Sequence, residues 1–118
     1  MNIEYINNNG YVVESDRATY VFDFVEGKLS GNYLRRDKPL LFIVSKNDPA
    51  YFSQSVLSYD KTSIFSDDFE FNPYRKVFMM GDNENIHFGF AQVFSFDSGN
   101  GGMSYLVKEK DVSIFYGG

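Results

Sequence analysis

The stretch Pro39-Leu40-Leu41-Phe42-Ile43-Val44-Ser45-Lys46-Asn47-Asp48-Pro49-Ala50-Tyr51-Phe52 decides the fold class. Its first half, Pro39–Ser45, is an apolar run without alternation, the pattern of a strand buried on both faces. Its second half opens a helix: Asp48 can cap the free backbone N–H groups, and Pro49 suits the first helical position. Phe52, Val56 and Tyr59 then recur at helical spacing, so the helix is predicted to end near Tyr59.

Upstream, Ile3–Ile6, Tyr11–Glu14 and Ala18–Phe24 read as strands. Asn7-Asn8-Asn9-Gly10 turns between the first two, and Ser15-Asp16-Arg17 links the next pair. Tyr20, Phe22 and Phe24 are expected to share one face. The polar stretch 26–38 reads as a loop carrying Arg35, Arg36 and Lys38. Downstream, Thr62–Phe65, Lys76–Met80, Asn85–Phe88, Ala91–Phe96, Met103–Glu109 and Val112–Tyr116 read as strands. Phe22, Phe24, Phe42, Phe65, Phe94 and Phe96 lie in these patterns and are expected in the core. Tyr33, Tyr51, Phe69 and Tyr74 are free to form a recognition surface. The expected fold class is α+β, predominantly β, with mixed and antiparallel sheets and one short helix, in a single domain over residues 1–118.

Composition excludes several functions. With no cysteine among 118 residues there is no disulfide, thiolate metal site or cysteine nucleophile. A single His excludes a His-rich metal site within one chain. A net charge of -5 gives no basic surface for direct nucleic-acid binding. No apolar run approaches the ~20 residues of a membrane-spanning helix, and the N-terminus has no signal-peptide pattern, so the expected location is the cytoplasm.

The remaining motifs are modest. Gly99–Gly102 lies between two predicted strands and lacks a phosphate loop's Lys-Ser/Thr end, so it reads as a hairpin loop. Asp67, Asp68 and Glu70 form an acidic turn without calcium-loop spacing. His87, between Ile86 and Phe88, belongs to the polar side of its strand and has no evident orienting partner for base catalysis.

In order, these segments resemble the N-terminal half of the metallo-β-lactamase superfamily domain. Leu41–Phe52 resembles the strand, metal loop and helix of that family. Gly102-Met103-Ser104-Tyr105-Leu106-Val107 is similar to its Gly-Val-Ser-Phe-Leu-Val strand. Ile114-Phe115-Tyr116-Gly117-Gly118 is similar to its strand ending His-Ala-Gly-Asp, and Tyr11–Phe24 fits its opening hairpin. The resemblance implies half of an αββα sandwich whose metal ligands have been replaced. The loop's His positions hold Lys46, Asp48 and Tyr51, its Asp position holds Ala50, and the later His is Tyr116. One carboxylate cannot assemble a zinc site or generate a metal-bound hydroxide. The implied vestigial site comprises Lys46, Asn47, Asp48, Tyr51, Asn100 and Tyr116, with no catalytic residue, no metal and no cofactor.

The expectation is therefore a non-catalytic binding or regulatory protein with a protein partner. The small, acidic, aromatic-rich composition is similar to that of anti-CRISPR inhibitors, which block nucleic-acid-binding enzymes. Arg35, Arg36, Asp67, Asp68 and Glu70 are candidate partner contacts. Apolar strands left uncovered by a half-fold predict a homodimer. The alternatives are a ligand-binding protein or hydrolase with a rebuilt, metal-free site, and a subunit completed by another chain.

Overall fold

The computed structural model describes residues 1–6, 10–24, 38–46, 76–99 and 101–117. Nine strands lie in these segments: β1 (Asn2–Ile6), β2 (Gly10–Glu14), β3 (Thr19–Phe22), β4 (Leu40–Ile43), β5 (Lys76–Phe78), β6 (Asn85–His87), β7 (Gln92–Asp97), β8 (Met103–Lys108) and β9 (Ser113–Tyr116). The predicted helix from Asp48, the predicted strand Thr62–Phe65, the loop over 26–37 and the aromatics Tyr33, Tyr51, Phe65, Phe69 and Tyr74 lie outside the described residues.

The strands form a five-stranded sheet, β1-β2-β3-β4-β5, and a four-stranded sheet, β6-β7-β8-β9. In the first sheet, β1, β2 and β3 pair antiparallel, whereas β3–β4 and β4–β5 are parallel. The second sheet is antiparallel throughout. The expected combination of mixed and antiparallel sheets is present.

The parallel strand β4 shows why its sequence does not alternate. Leu41 and Ile43 face the core between the sheets, with Tyr20, Phe22, Val93, Tyr105 and Val107. Leu40, Phe42 and Val44 face the other way and pack with Val12, Val21 and Phe24. Both faces of β4 are buried, so both parities must be apolar.

Two expectations about aromatics fail, for local reasons. Phe24 does not share a face with Tyr20 and Phe22. The strand stops at Phe22, and Asp23 adopts φ of 55°, which breaks the two-residue period and turns Phe24 into the outer cluster. Phe94 and Phe96 are not core residues: Phe94 is half-buried and Phe96 is 41% exposed. In β7 the inward positions are Val93 and Ser95. Ser95 faces in because its hydroxyl donates to the Gly81 carbonyl and accepts from the Glu84 N–H at 3.0 Å, which satisfies the turn before β6. The large Tyr105 ring lies opposite Ser95 and fills that layer.

Tyr105 also joins the sheets. Its hydroxyl donates to the Val44 carbonyl at 2.6 Å and accepts from the Met80 N–H at 3.2 Å. Burial, more than any other influence, pushes its phenol pKa above the usual value.

Candidate functional site

The chain's polar chemistry gathers where β3 and β4 end beside the end of β9. Asp23 follows β3 in a left-handed conformation that Asp and Asn tolerate better than most residues. Its N–H donates to the Ile43 carbonyl at 3.0 Å, which extends the parallel ladder by one bond. Its carboxylate, only 3% exposed, turns toward Ser45. The Ser45 N–H donates to Asp23 Oδ1 at 2.7 Å, and the Ser45 hydroxyl donates to Oδ2 at 2.6 Å. The Tyr116 hydroxyl, arriving from β9, donates to the same Oδ2 at 2.6 Å. A buried carboxylate needs such partners to replace its lost hydration.

Ser45 is held from its other side as well. Its carbonyl accepts from the Met103 N–H at 2.7 Å, at the start of β8. Gly102 is buried against this junction. A Cβ there would lie 3.2 Å from both the Ser45 carbonyl oxygen and Cγ of Lys46. The Lys46 stem thus passes over a residue without a side chain, while Lys46 itself is exposed.

These residues edge an open cavity of about 680 Å³ between the β1–β2 end of the first sheet and β9 of the second. Ile3, Tyr11, Val13, Phe22 and Ile114 supply its apolar wall, and Asp23, Ser45, Lys46 and Ser113 its polar groups. Tyr116 stacks on Phe22 at 4.6 Å between ring centroids and meets Tyr11 edge-on at 6.2 Å. Tyr5 continues the series against Tyr11 at 5.4 Å. One end of the cavity is aromatic and the other carries charge.

The described residues of this site do not fit a metal ion. Both Asp23 oxygens are already engaged by hydroxyl and N–H donors, and the other charged side chain among the described residues lining the cavity is the cation of Lys46. Among the described residues, no group of three His, Cys, Asp or Glu side chains converges.

A second buried polar cluster lies near the β2–β3 turn. Ser15 donates to Glu109 Oε2 at 2.7 Å, and the Tyr20 hydroxyl donates to the same oxygen. Among the described residues Glu109 Oε1 has no hydrogen-bond partner, and it faces Arg17 at 3.6 Å. Arg17 also reaches Asp111 at 3.5 Å. Burial and then the neighbouring Glu109 push the Tyr20 phenol pKa far above its usual value. The group ties the turn to the end of β8.

Of the sequence-predicted site residues, the structure brings Lys46 and Tyr116 to one cavity. Asn47, Asp48, Tyr51 and Asn100, and the candidate contacts Arg35, Arg36, Asp67, Asp68 and Glu70, lie outside the described residues. His87 is exposed, and its Nδ1 lies 3.0 Å from the Phe88 carbonyl oxygen. The central residue, Asp23, was missed. Its signal was present: a lone carboxylate within the apolar run Tyr20–Phe24 must find partners when that run is buried.

The sequence matches no protein-family model, and no curated protein matches it. Solved structures do resemble it. CmlA, a diiron β-hydroxylase from Streptomyces venezuelae, superposes with a TM-score of 0.55 at 12% identity, over 98% of this chain and 28% of that one. YhfI from Bacillus subtilis, a metallo-β-lactamase fold protein, superposes with a TM-score of 0.54 at 13% identity, over 93% of this chain and 55% of that one. The chain thus spans less than a third of the hydroxylase and about half of YhfI. Identities this low speak for fold alone, and the fold they show is that of the metallo-β-lactamase fold proteins.

Proposed function

We propose that this chain is a non-catalytic binding protein, built on half of a metallo-β-lactamase-like sandwich whose metal site has been replaced by a hydrogen-bonded closure. One observation carries the reading: Tyr116, at a position where the resembled family places a metal-binding His, donates its hydroxyl to the Asp23 carboxylate, whose other bonds go to Ser45. A metal would have to displace three hydrogen bonds to reach that carboxylate, in a cavity that Lys46 also lines. What the arrangement offers instead is a fixed, partly aromatic cavity, which suits recognition. A macromolecular partner with a basic surface would find a chain of net charge -5, in keeping with an inhibitor of a nucleic-acid-binding enzyme.

The test combines two measurements on protein purified without an affinity tag. Elemental analysis is expected to find no near-stoichiometric zinc, iron or manganese. Ester, β-lactam and phosphodiester substrates are expected to remain intact with those metals added. Metal-dependent turnover abolished by Asp23→Asn would overturn the reading.

A further inference from the structure

We infer that the cavity between β1–β2 and β9 is a binding site for a small aromatic anion, with the ring system on the Tyr11–Phe22–Tyr116 wall and the anionic group at the ammonium of Lys46. The inference rests on the non-catalytic reading above and names the ligand class of the same site.

Size and lining set the first constraint. A cavity of about 680 Å³ falls within the roughly 300–1,000 Å³ of pockets that hold drug-sized molecules. Its apolar wall is already organised. Phe22 is buried, Tyr116 lies on it nearly parallel at 19°, and Tyr11 stands edge-on to Tyr116 at 66°. The Tyr116 hydroxyl bond to Asp23 holds that ring in place without a ligand. Preorganised aromatic surface favours a flat, apolar body because little side-chain freedom is lost on binding.

Charge sets the second. Among the described residues, Asp23 and Lys46 are the two charged ones that line the cavity. Asp23 is recessed and accepts three hydrogen bonds, so it presents little acceptor capacity to a ligand. Lys46 is exposed, and among the described residues its ammonium has no hydrogen bond or ion pair. Its stem is steered across Gly102, where any side chain would crowd it. An unpaired cation at the rim of an aromatic cleft selects an anion with an apolar body over a neutral or cationic molecule of the same shape.

The probe is 8-anilinonaphthalene-1-sulfonate, an aromatic monoanion whose fluorescence rises in apolar surroundings. Its neutral counterpart is N-phenyl-1-naphthylamine, which keeps the rings and lacks the sulfonate. Both are titrated into the folded protein, with amide chemical shifts followed in parallel. The expected result is saturable one-to-one binding of the anion, weakened by salt, with shifts at Ser45, Lys46 and Tyr116. Lys46→Met should weaken the anion about tenfold, as for loss of one charge-assisted contact, and leave the neutral probe unchanged. Lys46→Arg should retain anion binding. Tyr11→Ala, at a partly exposed position, should weaken both probes. Absence of saturable binding, equal loss of both probes in Lys46→Met, or shifts confined to Phe94 and Leu106 on the opposite face would overturn the inference. Those outcomes leave the non-catalytic reading standing, which falls only to metal-dependent turnover.

Discussion

Asp23 binds Ser45 through both carboxylate oxygens, one accepting the backbone N–H at 2.7 Å and the other the side-chain hydroxyl at 2.6 Å. The pair locks together the ends of two parallel neighbours, β3 and β4, where each chain leaves its sheet. Tyr116 adds a third bond from the second sheet, so one carboxylate closes the sandwich at the cavity end.

Asp23→Asn should therefore destabilise the protein by about 1.5–3 kcal/mol, the range for losing hydrogen bonds to a buried charged group. Asn tolerates the positive φ at this position, so backbone strain does not confound the comparison. Its NH₂ group would face donors where an acceptor is needed. Urea denaturation is the measurement, and an unchanged midpoint would contradict the structural role given to this carboxylate.

Alkaline pH should unfold the protein through Tyr20 and Tyr105. Both phenols are raised above the ordinary value of 10.0, chiefly by burial. Below about pH 10 folded and unfolded chains both carry neutral phenols, and stability does not depend on these groups. Above it the unfolded chain releases protons that the folded chain retains. Stability then falls by about 1.4 kcal/mol per pH unit for each tyrosine. Tyr20→Phe should remove one tyrosine's share of that slope. At neutral pH it should cost about 1–2 kcal/mol, because it withdraws a donor from buried Glu109. Denaturant melts across the alkaline range, with phenolate absorbance followed in parallel, measure both effects.

Gly10 stands where a side chain has no room. A Cβ there would lie 2.9 Å from Cγ1 of Ile6 and 3.0 Å from the carbonyl oxygens of Phe22 and Asp23. Two of these contacts are backbone and cannot rotate away, so Gly10→Ala should cost about 1–3 kcal/mol, as overpacking does. Gly89→Ala, with nothing within 4 Å of the added carbon, should leave the melting temperature nearly unchanged. Thermal melts of the two variants provide a matched comparison.

The outer face of the second sheet carries Phe94, Leu106 and Phe115 in one cross-strand row, with Phe115 66% exposed. Among the described residues β9 pairs only with β8. Pairing of two β9 edges is the homodimer that we propose, and light scattering should give twice 13.6 kDa at micromolar concentration. Phe115→Lys should lower the mass to that of one chain without lowering stability, since the residue adds little to the fold it leaves exposed. A wild-type mass of one chain at every concentration would contradict the dimer.

Apolar patterning and turn residues located all nine described strands, because strand parity, burial and turn chemistry are local properties that the chain writes directly into its order of residues. The unbroken run Leu40–Val44 even announced two buried faces. Resemblance to a known scaffold groups Lys46 with Tyr116, and both residues line the cavity between β1–β2 and β9. Only the tertiary structure revealed Asp23 as the residue that organises that cavity. Asp23 is 22 residues from Ser45 and 93 from Tyr116, and no local pattern encodes a contact across those separations. It likewise decided that Phe94 and Phe96 point outward. The inward side of β7 was claimed by a serine needed to satisfy backbone groups at a distant turn, and that demand outweighed the hydrophobic preference of two rings.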